Sequence, residues 1–253
     1  MSQTAAGGPA HEEARNQHVP ADSLVYAVGD VHGRLDLLER LHDMIEADAT
    51  GIPAARKVVV YLGDYVDRGP DSCRVVDLLI EDPMADLEAV HLMGNHEALL
   101  LSFLVDPGQV RLWFMNGGDA TLRSYGVDLW ADTDAGDRAD YLRQAFIDRL
   151  PDSHLAFYRA LHLTHEEGDY LFVHAGIRPG IPLDAQDPED LIWIRQEFLD
   201  SMADHGKVVV HGHTPAHDAQ LRSNRIGIDT GAVYGGKLTA LVLHGAERRL
   251  LQV

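Results

Sequence analysis

Residues 24–47 read LVYAVGDVHGRLDLLERLHDMIEA. The apolar run at 24–28 predicts a buried strand, because short β-branched runs bounded by glycine suit a covered sheet. A turn follows, Gly29-Asp30-Val31-His32-Gly33. In residues 34–47, Leu35, Leu38, Leu41, Met44 and Ile45 recur at the spacing of one helix face. The same order returns twice. Residues 57–62 end in Gly63-Asp64-Tyr65-Val66-Asp67-Arg68-Gly69, and the spacing then predicts a helix over 71–80, with Val75, Leu78 and Leu79 on one face and its start after Pro70. Residues 87–93 end in Gly94-Asn95-His96-Glu97. Strand, turn, helix, strand is the rhythm of a layered α/β core.

The rhythm stops at Asp106. Between there and Leu163 the pattern is helical, clearest at 137–150 and 154–161, and predicts an inserted helical cap. Strands resume at 170–173 and 208–210. The tail from Arg225 reads as short strands and turns, clearest at 237–244. One domain over residues 23–253, with an insertion at about 106–163, is therefore expected. Residues 1–22, rich in Ala, Gly, His and Glu, read as a flexible leader.

Composition narrows the class. The chain has 253 residues, 45% of them hydrophobic, which suffices for a sizeable core and excludes wholesale disorder. Forty acidic residues against 21 basic give a net charge of −19. A phosphate backbone needs a cationic face, so no nucleic-acid partner is expected. A single cysteine, Cys73, excludes an internal disulfide or a cysteine-built zinc site and fits a reducing compartment. No run approaches the roughly 20 apolar residues of a membrane span, and the N-terminus lacks the features of a signal peptide. The expectation is a cytoplasmic protein with no membrane partner.

All five strand-like runs end in side chains able to bind a cation: Asp30 and His32, Asp64 and Asp67, Asn95 and His96, His174, and His211 with His213. Loops converge at the carboxyl ends of strands in α/β sheets, and ligands bind there. One such residue alone would be a helix cap or a packed histidine. Five sets of them would bring carboxylates into mutual repulsion unless cations intervened. Asp, His and Asn together suit manganese, iron or zinc better than calcium.

Rival motifs fail. Gly231–Lys237 approaches a phosphate-binding loop, but Leu238 stands where Ser or Thr should hold magnesium and a strand-like run follows. Residues 132–136 hint at a calcium loop, yet the glycine is one place early and Arg143 occupies the closing glutamate position. Cys73 has no following arginine at the spacing a cysteine-dependent phosphatase needs.

The blocks Asp30–Gly33, Gly63–Gly69, Gly94–Glu97, His174–Gly176 and Gly212–His213, in this order, resemble those of the phosphoprotein phosphatases, within the calcineurin-like metallophosphoesterases. The resemblance implies a β-sandwich flanked by helices, with the active site at one edge. It implies two divalent ions, one held by Asp30, His32 and Asp64, the other by Asp64, Asn95, His174 and His213. Such a pair lowers the pKa of a shared water, which as hydroxide attacks phosphorus directly. His96 would then be the general acid, with Asp67 orienting its ring and keeping it protonated near neutral pH. Arg68 would clamp phosphoryl oxygens, and Arg195 resembles the second arginine of bacterial members. The ordinary alternative for Arg195 is a surface ion pair with Glu189 or Asp200. Glu97 reads as a first-turn acid complementing the helix dipole. His211 is left outside the ligand set.

Two enzymes share these blocks: a bacterial-type serine/threonine protein phosphatase, extending to phosphotyrosine, and a symmetrical dinucleoside tetraphosphate hydrolase. His32 and Glu97 resemble the protein phosphatases, since dinucleotide hydrolases tend to carry Gln and Asp there. The segment from Trp113 to Gly126 also resembles bacterial protein phosphatases. The expected substrate is thus a phosphoprotein or phosphopeptide. A catalytically dead binding module would have lost the acid or the clamp, whereas His96, Asp67 and Arg68 are all present.

Overall fold

The computed structural model describes residues 17–81, 84, 86–131 and 138–253. Its strands in chain order are β1 (Ser23–Val28), β2 (Arg56–Tyr61), β3 (Glu88–His91), β4 (Thr164–Glu167), β5 (Tyr170–Val173), β6 (Val208–His211), β7 (Gln220–Leu221), β8 (Arg225–Gly227), β9 (Thr239–His244) and β10 (Glu247–Gln252). The helices are α1 (Leu35–Thr50), α2 (Ser72–Glu81), α3 (Asn95–Val105), α4 (Val110–Met115), α5 (Gly118–Ser124), α6 (Arg138–Ile147), α7 (Asp152–Ala160), α8 (Pro188–Trp193) and α9 (Gln196–Leu199). Two five-stranded sheets result, ordered β10-β9-β1-β2-β3 and β4-β5-β6-β8-β7. Within them β1, β2 and β3 run parallel, as do β5, β6 and β8.

Strand alternation explains the sandwich. Val25, Ala27, Val58 and Val60 of one sheet pack against Tyr170, Phe172, Val208 and Val210 of the other. Their neighbours Leu24, Tyr26, Val28, Val59 and Tyr61 face the opposite way, into a core shared with α1, α2 and the helical insertion. Leu171, Val173 and Val209 pack with Leu191 of α8 and Phe198 of α9. Strands covered on both faces need apolar residues at every position, hence the continuous runs in the sequence.

Several expectations shift. Met44 lies at the exposed margin of α1, whereas Leu37, His42 and Ala49 join its buried face. In α2 the buried apolar positions are Val75, Val76 and Leu79, with Leu78 only partly covered. Strand β4, Thr-His-Glu-Glu, escaped the apolar pattern because it is a polar edge strand, antiparallel to β5 and tied to β2 by Arg56 Nη1 on Glu167 at 2.6 Å. Val19 is buried and its amide donates to the Gly245 carbonyl at 3.2 Å, so packing begins before residue 23. Residues 1–16 of the expected leader, and the calcium-like loop at 132–136, lie outside the described residues. The insertion is helical as expected, carrying α4 to α7. Among the described residues no helix is long and apolar enough to cross a membrane.

The core stores a pH dependence away from the strand ends. His42 is buried, its Nε2 2.8 Å from the Tyr61 hydroxyl, and burial pushes the imidazole down from 6.5 to about 4. Between those values the unfolded chain binds more protons, so this stability is complete above pH 6.5 and drains as pH falls toward 4. The contribution lost between pH 7.5 and pH 5 is about 2 kcal/mol. Urea unfolding at the two pH values should show a correspondingly smaller loss for His42→Gln than for the unaltered chain; equal losses would refute the assignment.

Candidate active site

The carboxyl ends of β1, β2, β5 and β6, together with the loop that follows β3, meet at one edge of the sandwich. Among the described residues six non-glycine residues have left-handed backbone, and five are here: His32 (φ 46°), Asp64 (φ 55°), Asp67 (φ 71°), Arg68 (φ 68°) and His213 (φ 64°). An L-residue resists this conformation, and it persists only where surroundings hold it. Glu97 does much of that holding. It is fully buried on α3; Oε1 accepts from the Tyr65 and Val66 amides at 2.8 and 3.3 Å, and Oε2 from the Asp64 and Gly94 amides at 2.9 and 3.0 Å. Its role therefore exceeds the dipole complement expected from the sequence: it fastens the loop that carries Asp64. Burial still pushes its carboxyl up to about 7.

Two trios of potential ligands form around one carboxylate. His32, Asp64 and His96 make one; Asp64, His174 and His213 make the other, each with ligand atoms within 4.8 Å of one another. Asp64 is common to both. Asn95 joins the second, its Oδ1 standing 3.0 Å from His174 Nε2 and 2.9 Å from His213 Nδ1. Asp30 belongs to neither trio; its carboxylate accepts from the His213 amide at 3.2 and 3.1 Å. Glycines permit these approaches: a Cβ on Gly94 would collide with Asp64 Oδ1, and one on Gly212 with Asp30 Oδ1.

The protonation pattern fits cations. His32 donates through Nδ1 to the Val66 carbonyl, and His174 through Nδ1 to the Leu62 carbonyl, each at 2.8 Å. Both Nε2 atoms therefore carry lone pairs, that of His32 accepting from Arg68. They face Asp64 oxygens at 3.5 and 3.4 Å, and His174 Nε2 also faces the Asn95 oxygen. Lone pairs gathered this closely and out of water repel one another unless positive charge lies among them. Burial raises the carboxyls of Asp30 and Asp64 well above the ordinary range, and they add to it, Asp229 acting on Asp30 and Asp30 on Asp64. Burial likewise pushes the imidazoles of His32, His174 and His213 down. These residues thus suit divalent ions.

Beside the trios lies a second assembly. His96 Nδ1 donates to Asp67 Oδ2 at 2.7 Å, and its Nε2, buried and without a protein partner, points at Asp64 Oδ2 from 3.8 Å. Against the expectation that Asp67 keeps this ring protonated, burial, then the charges of Arg68 and Arg195, push His96 well below its usual value. Burial also pushes Asp67 up to about 8, against hydrogen bonds from Thr121 and Trp113.

Arg68 reaches over the cluster, its Nη1 donating to His32 Nε2 at 2.5 Å. Arg195 has no ion pair with Glu189 or Asp200; its polar contact is Thr214 Oγ1 at 3.5 Å, and it borders a cavity of about 540 Å³ also lined by Arg178, Asp190, Trp193 and Glu197. Arg178 instead takes the acids, binding Asp190 through two 2.6 Å contacts. His211 stays apart from the trios, between the Gly212 carbonyl and Arg225 Nη1.

Two neighbours escaped the sequence reading. Buried Asp229 follows β8 and presses on Asp30 electrostatically, and exposed Tyr234 places its ring 5.7 Å from the Arg68 guanidinium. Asp229 flanks the stretch rejected as a phosphate loop, and Tyr234 lies within it. The signal available was Asp229-Thr230-Gly231, an acid and a tight turn after one more parallel strand. Burial, then the charge of Asp77, pushes the Cys73 thiol up to about 11.

With this geometry, the chain belongs to the calcineurin-like phosphoesterase family, whose model matches residues 23–239. It is 32% identical over 226 residues to serine/threonine-protein phosphatase 1 of Salmonella typhimurium, covering 85% of this chain and 89% of that protein. It is 27% identical over 232 residues to an asymmetrical bis(5'-nucleosyl)-tetraphosphatase of Bacillus thuringiensis, covering 85% and 88%. That relative is the asymmetrical kind of hydrolase, not the symmetrical kind weighed from the sequence. Among solved structures, a cold-active protein-tyrosine phosphatase of a psychrophilic Shewanella shares the fold with a TM-score of 0.54, at 17% identity, over 97% of this chain and 89% of that one.

Proposed function

We propose that the chain is a metal-dependent protein phosphatase cleaving phosphoserine and phosphothreonine, with phosphotyrosine as a further substrate. The observation that carries this reading is the buried His96–Asp67 pair, whose unpartnered Nε2 points at the ligand cluster. A serine or threonine alkoxide is a poor leaving group and needs a proton in the transition state. A nucleotide leaving an anhydride is already a stable anion and needs far less help.

Asp30, His32 and Asp64 would hold one divalent ion, and Asp64, Asn95, His174 and His213 the other. Manganese is our choice, with iron or zinc the alternatives. When bound, the ions supply Lewis acidity and acidify water. The chain's own groups do the rest. Arg68 and Arg195 bind and orient the phosphoryl oxygens through planar, paired donors. His96 Nε2 delivers a proton to the departing oxygen, while Asp67 fixes the ring through Nδ1. We place the enzyme in the cytoplasm.

The Bacillus relative favours a second reading, hydrolysis of dinucleoside tetraphosphates. Turnover of a phosphoserine peptide and of diadenosine tetraphosphate, each with added manganese, separates the two. The proposal expects kcat/KM at least about tenfold higher for the peptide, a preference of about 1.4 kcal/mol. Efficient cleavage of the dinucleotide alone would overturn it.

A further inference from the structure

We propose that the helical insertion is part of the catalytic machinery: Trp113 and Thr121 are positioning residues that fix the Asp67 carboxylate and, through it, the ring of His96. The inference rests on the reading of His96 as the proton donor. Trp113 on α4 is fully buried, and its Nε1 donates to both Asp67 oxygens at 3.0 and 2.9 Å. Thr121 on α5, also fully buried, donates its hydroxyl to Asp67 Oδ1 at 2.6 Å and accepts the Asp67 amide at 2.9 Å. Ser72, at the start of α2, accepts the same amide at 3.1 Å. With the His96 contact, Asp67 accepts from three side chains drawn from three helices.

The backbone needs this support as much as the carboxylate does. Asp67 and Arg68 are consecutive left-handed residues, and neither is glycine. The Arg68 amide donates to the carbonyl of Gly117, in the turn between α4 and α5, at 3.1 Å. The insertion therefore grips both halves of the turn: the partner of the proton donor on one side and the phosphate-binding arginine on the other. An insertion serving only as a cover would not place an indole N–H and a hydroxyl, both out of water, on a single carboxylate of the core. A hydrogen-bonded ring is held within the narrow range of orientations from which Nε2 reaches the departing oxygen.

The test uses leaving-group dependence, which a merely structural role would not move selectively. Trp113→Phe and Thr121→Val remove the donors; Thr121→Ser keeps one. For Trp113→Phe and Thr121→Val, kcat on a phosphoserine peptide should fall about 10- to 100-fold, while KM and turnover of dinitrophenyl phosphate stay within about twofold. Thr121→Ser should restore most of the peptide rate. Metal content, measured alongside, should be unchanged. Equal losses on both substrates, or no loss on the peptide, would overturn the proposal. Should Trp113→Phe fail to fold, the Thr121 pair decides alone. His96→Asn run in parallel separates the two ideas: if it lacks the selective loss, the proton-donor reading fails, and if it alone shows that loss, only the role of the insertion fails.

Discussion

His96→Asn should lower kcat on a phosphoserine peptide by about 10²- to 10⁴-fold, the usual range for losing a positioned acid. Dinitrophenyl phosphate, whose leaving group needs little protonation, should be cleaved at close to the original rate. The contrast follows from the geometry. His96 is anchored on its Nδ1 side by Asp67 at 2.7 Å, so the ring offers the site only Nε2. Asparagine is shorter and cannot deliver a proton from that position. Its backbone amide still donates to Asp64 Oδ1, as His96 does at 3.2 Å, so the ligand cluster should survive. Steady-state kinetics on the two substrates at fixed metal concentration checks this. An equal fall on both would mean that His96 supports the cluster rather than the leaving group.

Asp64→Asn should be more damaging still, with activity on either substrate reduced about 10³-fold or more, the effect of losing several kcal/mol of charge stabilisation. Asp64 is the one carboxylate shared by both ligand trios. Its two oxygens face different histidines, Oδ1 toward His174 and Oδ2 toward His32. An amide keeps the size but loses the charge, and its NH₂ turns one ligand atom into a donor. The loss should appear with both leaving groups, which distinguishes it from that of His96→Asn. Retention of more than about a tenth of the activity would argue against a shared ligand.

That the sequence marks the candidate ligands locally but hides the groups that support them has a physical reason. Ligands sit at the ends of apolar strands, so a local pattern, a run followed by Gly-Asp or Gly-Asn-His, marks each. The supports act across the chain. Trp113 and Thr121 lie 46 and 54 residues from the Asp67 they bind. In sequence they are only an apolar residue and a hydroxyl in a helical stretch. Glu97 was visible but undervalued, because four amides converging on one carboxylate is a tertiary fact. Strand β4 was hidden for the opposite reason: its stability comes from edge pairing and an ion pair, not from apolar periodicity. His96 shows a subtler limit. A neighbouring acid suggests a raised pKa, but burial and two nearby arginines outweigh it.

Acidity of the whole chain conceals a locally cationic demand. With a net charge of −19, the chain still sets Arg68 over a cluster of carboxylates and imidazoles, its guanidinium donating to His32. That cluster is stable only if positive charge enters it. The decisive measurement is therefore metal stoichiometry with activity followed in parallel: the metal-stripped chain is titrated with manganese, and bound metal and phosphopeptide turnover are read at each point. Two ions per chain are expected, with turnover rising as the second binds, and Asp64→Asn should fail to reach two. Full turnover with one ion, or turnover that persists in excess chelator with no metal bound, would contradict the shared two-ion site.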